Sequence, residues 1–77
     1  MIINVLVTND QSFVIDVESN ETISQIKDRI YKQEGIHPTH FALVYLGQLL
    51  KADMAIKDTR ITAGVTIQLL PRLKART

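Results

Sequence analysis

Residues 22–38 read T-I-S-Q-I-K-D-R-I-Y-K-Q-E-G-I-H-P, a helix with both ends marked in the sequence. The first amides of a helix lack partners within it, and Thr22 with Gln25 has the spacing of a capping box, in which each side chain accepts from the other's backbone. At the far end Gly35 permits a left-handed stop, and Pro38 prevents the helix from resuming. Between these signals Ile23, Ile26 and Ile30 recur at helical spacing, while Ser24, Gln25, Lys27, Asp28, Lys32 and Gln33 take the other faces. One apolar stripe requires one partner layer.

Strand-like segments on both sides of the helix supply it. M-I-I-N-V-L-V (1–7) and S-F-V-I-D-V (12–17) are short β-branched runs joined by T-N-D-Q, whose Asn and Asp tolerate the positive φ of a tight hairpin. Alternation places Met1, Ile3 and Val5 with Phe13, Ile15 and Val17 on the inward face. After the helix come F-A-L-V-Y (41–45), Gly47, a short Q-L-L (48–50) and V-T-I-Q-L-L (65–70). Ile56 and Ile61 are expected core contacts from the intervening loop. The order hairpin, helix, strand, short strand, strand predicts an α+β fold, a mixed sheet packed on one helix.

A chain of 77 residues is one small domain, near the lower limit at which a single core suffices. With 45% hydrophobic residues and no cysteine, it must be stabilised by burial rather than by disulfides or thiolate-bound metal. No apolar run approaches the roughly 20 residues that span a bilayer, and the N-terminus lacks signal-peptide features. These readings predict a cytoplasmic or nuclear protein with no membrane partner.

The net charge of +1 is unevenly divided. Residues 1–36 hold six acids against three bases, whereas residues 37–77 hold Asp53 and Asp58 against Lys51, Lys57, Arg60, Arg72, Lys74 and Arg76. The basic half could steer an acidic partner, or it could simply be a solvated charge mixture. Nucleic-acid footprints cluster many cations with exposed aromatics. Here the cations form a short alternating tail, and Phe13 and Phe41 belong to the inward set, so no nucleic-acid partner is expected.

Catalytic patterns are missing. There is no cysteine nucleophile, no G-x-S-x-G and no phosphate-cradling glycine loop. His37 and His40 flank Pro38, which rules out a helical pair, and no acidic or cysteine ligand nearby in sequence completes a zinc site. Asp16 and Glu18 read as a solvated strand edge rather than a carboxylate pair. No enzyme activity, cofactor or metal is expected.

Surface recognition remains. With Leu43, Tyr45, Ile67 and Leu69 inward, Ala42, Val44, Thr66, Gln68 and Leu70 face outward. Val44 and Leu70 then form an apolar centre flanked by Ala42, Gly47, Gln68, Thr8 and Arg72, the anatomy of a modest binding surface with a polar and basic rim. Scattered surface apolar residues are the competing reading.

The sequence resembles ubiquitin and its ubiquitin-like relatives over residues 1–73, on Thr22-Ile23, Lys27, Ile30, Glu34-Gly35-Ile36 with Pro38, Leu43, Gly47, Leu50, Asp58, Ile61, Thr66, Leu69 and Arg72-Leu73. The resemblance implies a β-grasp domain, with residues 74–77 a tail or linker, and a sheet face that docks small helical receptor modules. The matching positions are Thr8, Val44 and Leu70, with Gln68 where ubiquitin has a histidine. Thr8 in place of a leucine implies a smaller, weaker patch. A second apolar spot at Ile36 and Leu69 is interrupted by Pro71, where the last strand should fray or end.

Conjugated family members carry an Arg-Gly-Gly tail, because glycine lets the backbone approach closely in the activating enzyme's channel. Here residues 72–77 read R-L-K-A-R-T and no Gly-Gly occurs. Leu6, Gln11, Arg29, Gln33, Gln48 and Ala63 replace lysines that the family uses for chain building, and only Lys27 matches. The expectation is a monomeric, non-conjugated ubiquitin-like domain, N-terminal in a longer protein, that binds ubiquitin-interacting helices, proteasome receptors or its own downstream domain within the ubiquitin-proteasome system. The alternatives are a divergent modifier or fusion leader, and a face packed permanently against another domain.

Overall fold

Thr22 caps the helix as its position requires: its hydroxyl accepts from the Gln25 amide at 3.3 Å and the Gln25 side chain accepts from the Thr22 amide at 2.9 Å. The computed structural model describes residues 1–8 and 10–71, Thr8 through its backbone. In it the helix α1 spans Ile23–Glu34 and stops at Gly35, φ 77°, whose amide donates to the Tyr31 carbonyl. The remaining first-turn amides find partners far along the chain. Ile23 donates to the Met54 carbonyl at 2.8 Å and Ser24 to the Ala52 carbonyl at 3.0 Å, so residues 52–54 complete the helix start that Thr22 only half satisfies.

Five strands surround this unit: β1 (Ile2–Thr8), β2 (Gln11–Asp16), β3 (Phe41–Tyr45), β4 (Gln48–Leu49) and β5 (Thr66–Pro71). They form one sheet in the order β2-β1-β5-β3-β4, with β1 and β5 parallel and the other pairs antiparallel. The last strand is therefore the central one. It runs through Pro71, opposite Phe41. The register of β1 on β2 shifts between Leu6 and Thr8, at the hairpin end.

One face of the sheet holds the core. Ile3, Val5, Ile15, Val17, Phe41, Leu43, Ile67 and Leu69 meet Ile23, Ile26 and Ile30 of α1, and Leu50, Ile56 and Ile61 close the end. Met1, Phe13 and Tyr45, which alternation places inward, are partly buried against this cluster. No polar or charged side chain among the described residues is buried, so apolar burial holds this core together.

Polar side chains of α1 reach the strands. Gln33 Nε2 donates to the Val14 carbonyl at 2.9 Å, and the Arg29 guanidinium donates to the Asp16 carbonyl while pairing with Glu21. On the other side, Lys27 Nζ donates to the Phe41 carbonyl at 3.2 Å and lies 5.4 Å from the Phe41 ring centre. Asp16 accepts from the Met1 ammonium at 3.0 Å. The Asp16 side chain is 72% exposed on this edge strand, in keeping with a solvated edge.

The β3–β4 turn contains a backbone conflict. Tyr45 pairs with Gln48, leaving a two-residue turn of Leu46 (φ 53°) and Gly47 (φ 77°), the type I′ geometry that suits a twisted hairpin. Glycine takes this conformation freely; leucine is strained there by about 1–2 kcal/mol. Leu46 is 71% exposed, so burial returns little of that cost.

Two outcomes test this description. Ile26→Ala should lower unfolding stability by ~2–5 kcal/mol in urea denaturation. Leu46→Gly should raise it by about 0.5–1 kcal/mol, relieved strain exceeding glycine's greater unfolded-state entropy. An unchanged or lower midpoint would show that the Leu46 conformation carries no strain.

Candidate partner-binding face

The outward side of the sheet is assembled by register. Leu6 pairs with Ser12 on one side and Gln68 on the other, Gln68 pairs with Val44, and Val44 pairs with Leu49. Opposed residues share a face, so Ser12, Leu6, Gln68, Val44 and Leu49 form one row across all five strands. A second row runs Val14, Asn4, Thr66, and Ala42 pairs with Leu70 at the opposite margin. Ile2 opposite Asp16 closes the corner.

Val44 and Leu70 thus lie on one face, half-buried and 40% exposed respectively, with Gln68 exposed on β5 opposite Val44 and two residues before Leu70. Ala42 is outward but only 8% exposed, so its methyl serves as floor rather than rim. Gly47 occupies the β3–β4 turn, where its positive φ is a requirement of the hairpin. Thr8 ends β1, and Arg72 lies outside the described residues.

Sequence reading missed two contributors. Leu6 is half-buried, and Leu49 is 51% exposed beside Val44. Both were within reach: inward Ile3 and Val5 force Leu6 outward, and a two-residue turn at Leu46-Gly47 puts Leu49 opposite Val44. Together with Ile2 and Val14 they make the apolar content wider than Val44 and Leu70 alone. Of the outward strand positions, Asp16 alone carries a charge, and it is paired with the Met1 ammonium. The basic member of the rim expected around Val44, Arg72, lies outside the described residues.

The described residues offer less elsewhere. Shallow hollows of about 260 Å³ beside Val7, Phe13 and Ile36, and about 250 Å³ beside Tyr45, Leu46 and Met54, contain neither histidine nor cysteine. His37 and His40 lie at a 3-10 turn (Pro38–His40), their ring centres 5.2 Å apart, and His37 Nδ1 engages Thr39. No cluster of three metal-ligating side chains occurs among the described residues.

A five-stranded mixed sheet wrapped on one helix defines a small β-grasp domain of the ubiquitin-like class. The chain belongs to the Ubiquitin family, whose sequence profile matches residues 3–74. It is 34% identical to the NEDD8-like protein RUB3 of Arabidopsis thaliana, over 96% of this chain and 95% of that protein. Ubiquitin-like protein 1 of Schizosaccharomyces pombe is 27% identical with the same coverage. A segment of the UV excision repair protein RAD23 homolog B of Bos taurus is 30% identical, covering 79% of this chain but 16% of that protein.

The two sheet faces should separate in mutagenesis. Leu49→Ala is expected to cost less than about 1 kcal/mol, because the side chain is half in water already. Leu43→Ala, fully buried, should cost ~2–5 kcal/mol. Equal losses in thermal denaturation would contradict the assignment of faces.

Proposed function

We propose that this domain acts by non-covalent protein binding in the ubiquitin-proteasome system, through the outer sheet face, with Val44 and Leu70 as anchors. The observation that carries this reading is the row from Leu6 through Gln68 and Val44 to Leu49, continued by Leu70. It is an aliphatic surface with hydrogen-bonding side chains interspersed, suited to the apolar stripe of a helix. Gln68 at its middle can orient such a helix by donating to or accepting from its backbone or polar side chains. The family's ubiquitin-interacting helices and proteasome receptors are the partner class, in the cytoplasm or nucleus.

No two glycines are adjacent in the 77 residues, which favours docking over conjugation. A divergent modifier is the second reading, and the match along 95% of the NEDD8-like relative favours it. A thioester assay with ubiquitin-family activating enzymes separates the two: docking alone predicts no adduct above background.

Titration of the labelled domain with a ubiquitin-interacting helix and with a proteasomal receptor domain should move the amides of Leu6, Val44, Leu49, Gln68 and Leu70. Val44→Ala should weaken that binding about tenfold, the loss of one anchor, with the melting temperature little changed. Silence of this face toward both ligands would defeat the docking reading.

A further inference from the structure

We infer that His37 and His40 together hold a divalent cation of the zinc and copper class, in a two-imidazole site completed by water. The inference involves no residue of the outer sheet face and does not rest on the docking reading.

The chain has two histidines and no cysteine, so all its imidazole donors lie in this one turn. In the sequence, Pro38 between them argues against a helical pair and hence against a metal. The structure brings them together by another route. Proline suits the first position of a turn, because its φ is preset and an N–H there would have no partner. Pro38 opens the 3-10 turn Pro38–His40, and the His40 amide donates to the His37 carbonyl at 2.9 Å. In such a turn, side chains three apart eclipse rather than diverge. Both histidines are exposed, and their ring centres lie 5.2 Å apart with the planes inclined by 39°.

That separation is the one a shared ion needs. With about 2.0–2.1 Å from the ion to each nitrogen and a tetrahedral angle between them, two imidazole centres fall roughly 5 Å apart. The His37 ring is already held in place. Tyr31 packs against it edge to face, ring centres 5.5 Å apart, and its Nδ1 lies 2.9 Å from the Thr39 hydroxyl. Metal-bound histidines ordinarily donate their second ring N–H to such an acceptor, which fixes the tautomer. Here Nδ1–H given to the Thr39 hydroxyl leaves Nε2 for the ion, in exchange for the 3.3 Å bond that Nδ1 accepts from the Thr39 amide. The His40 ring makes no hydrogen bond among the described residues, so either of its nitrogens can turn toward the ion.

The donor set selects the ion. Calcium and magnesium require oxygen ligands, whereas neutral imidazole suits zinc, copper and nickel. Tyr31 belongs to the last turn of α1, and the carbonyl end of a helix favours positive charge. No cluster of three metal-ligating side chains forms among the described residues, so water fills the other positions and binding is weak. What the second ring adds is chelation: once one imidazole holds the ion, the other meets it at high effective concentration.

Titration of the isotope-labelled 77-residue chain with Zn²⁺, from about 0.01 to about 2 mM in a non-coordinating buffer, tests the inference. The expected result is saturation at one ion per chain, with shifts centred on the His37 and His40 rings and the Thr39 amide, and no such shifts with Mg²⁺. His40→Gln should weaken Zn²⁺ binding about tenfold or more, the loss of chelation. His37→Asn, which keeps an acceptor for the Thr39 amide, should do the same with the melting temperature little changed. Two ions per chain, with affinity unchanged in the single variants, would show that the rings bind separately and overturn the shared site. Shifts centred elsewhere, or no saturation across the titration, would overturn it equally.

Discussion

The isoleucine stripe of α1 can leave water only if one whole face of the sheet is given up to it, and that one-sidedness organises the molecule. Ile23, Ile26 and Ile30 are fully buried against β1, β2, β3 and β5. A domain this small has apolar residues for one core layer, and the described residues form no second α-helix to cover the opposite side. The outer face must then be tolerable in water by composition alone. Among the described residues it is made of half-exposed aliphatics and uncharged polar side chains, with the paired Asp16 at one corner.

The helix also seals the sheet. Gln33 and Arg29 project across to β2 and occupy carbonyls that an edge strand would otherwise offer to a neighbour. Lys27 does the same for a β3 carbonyl. In return, the carbonyls of Ala52 and Met54 occupy the first amides of the helix. The segment between β4 and β5, whose polar residues have no evident purpose in the sequence, thus completes a hydrogen-bond set that Thr22 and Gln25 leave open. Carbonyls along β2 and the amides of the helix start are thus engaged within the domain, whereas the outer sheet face keeps its aliphatic side chains half in water.

Much of this was legible from local rules. Thr22, Gly35 and the isoleucine period define α1, and alternation correctly turns Ala42, Val44, Gln68 and Leu70 outward. Cross-strand geometry was less accessible. Alternation alone turns Leu6 outward, but its place beside Gln68 and that of Leu49 beside Val44 depend on the parallel register of β1 with β5 and on the I′ turn at Leu46-Gly47. Those are relations between distant segments, or a leucine in a conformation that propensity disfavours. The burial of Ala42 escaped for a different reason: facing outward and being reachable are separate properties, and a methyl group between larger neighbours has the first without the second. The links from Arg29 and Gln33 to β2 carbonyls involve long flexible side chains on which periodicity is silent.

The placement of β5 at the centre of the sheet has a consequence for how the protein is made. Val5 pairs with Ile67, sixty-odd residues later, and within the sheet β1 and β3 are joined through the strand between them. During synthesis the hairpin and helix emerge first, yet they have no complete surface to close on until residues 66–71 clear the ribosome. Loop closure over that span must precede the contacts that reward it. The domain consequently folds as one unit and late, and until then its apolar strands stay in the reach of chaperones rather than of a half-built core.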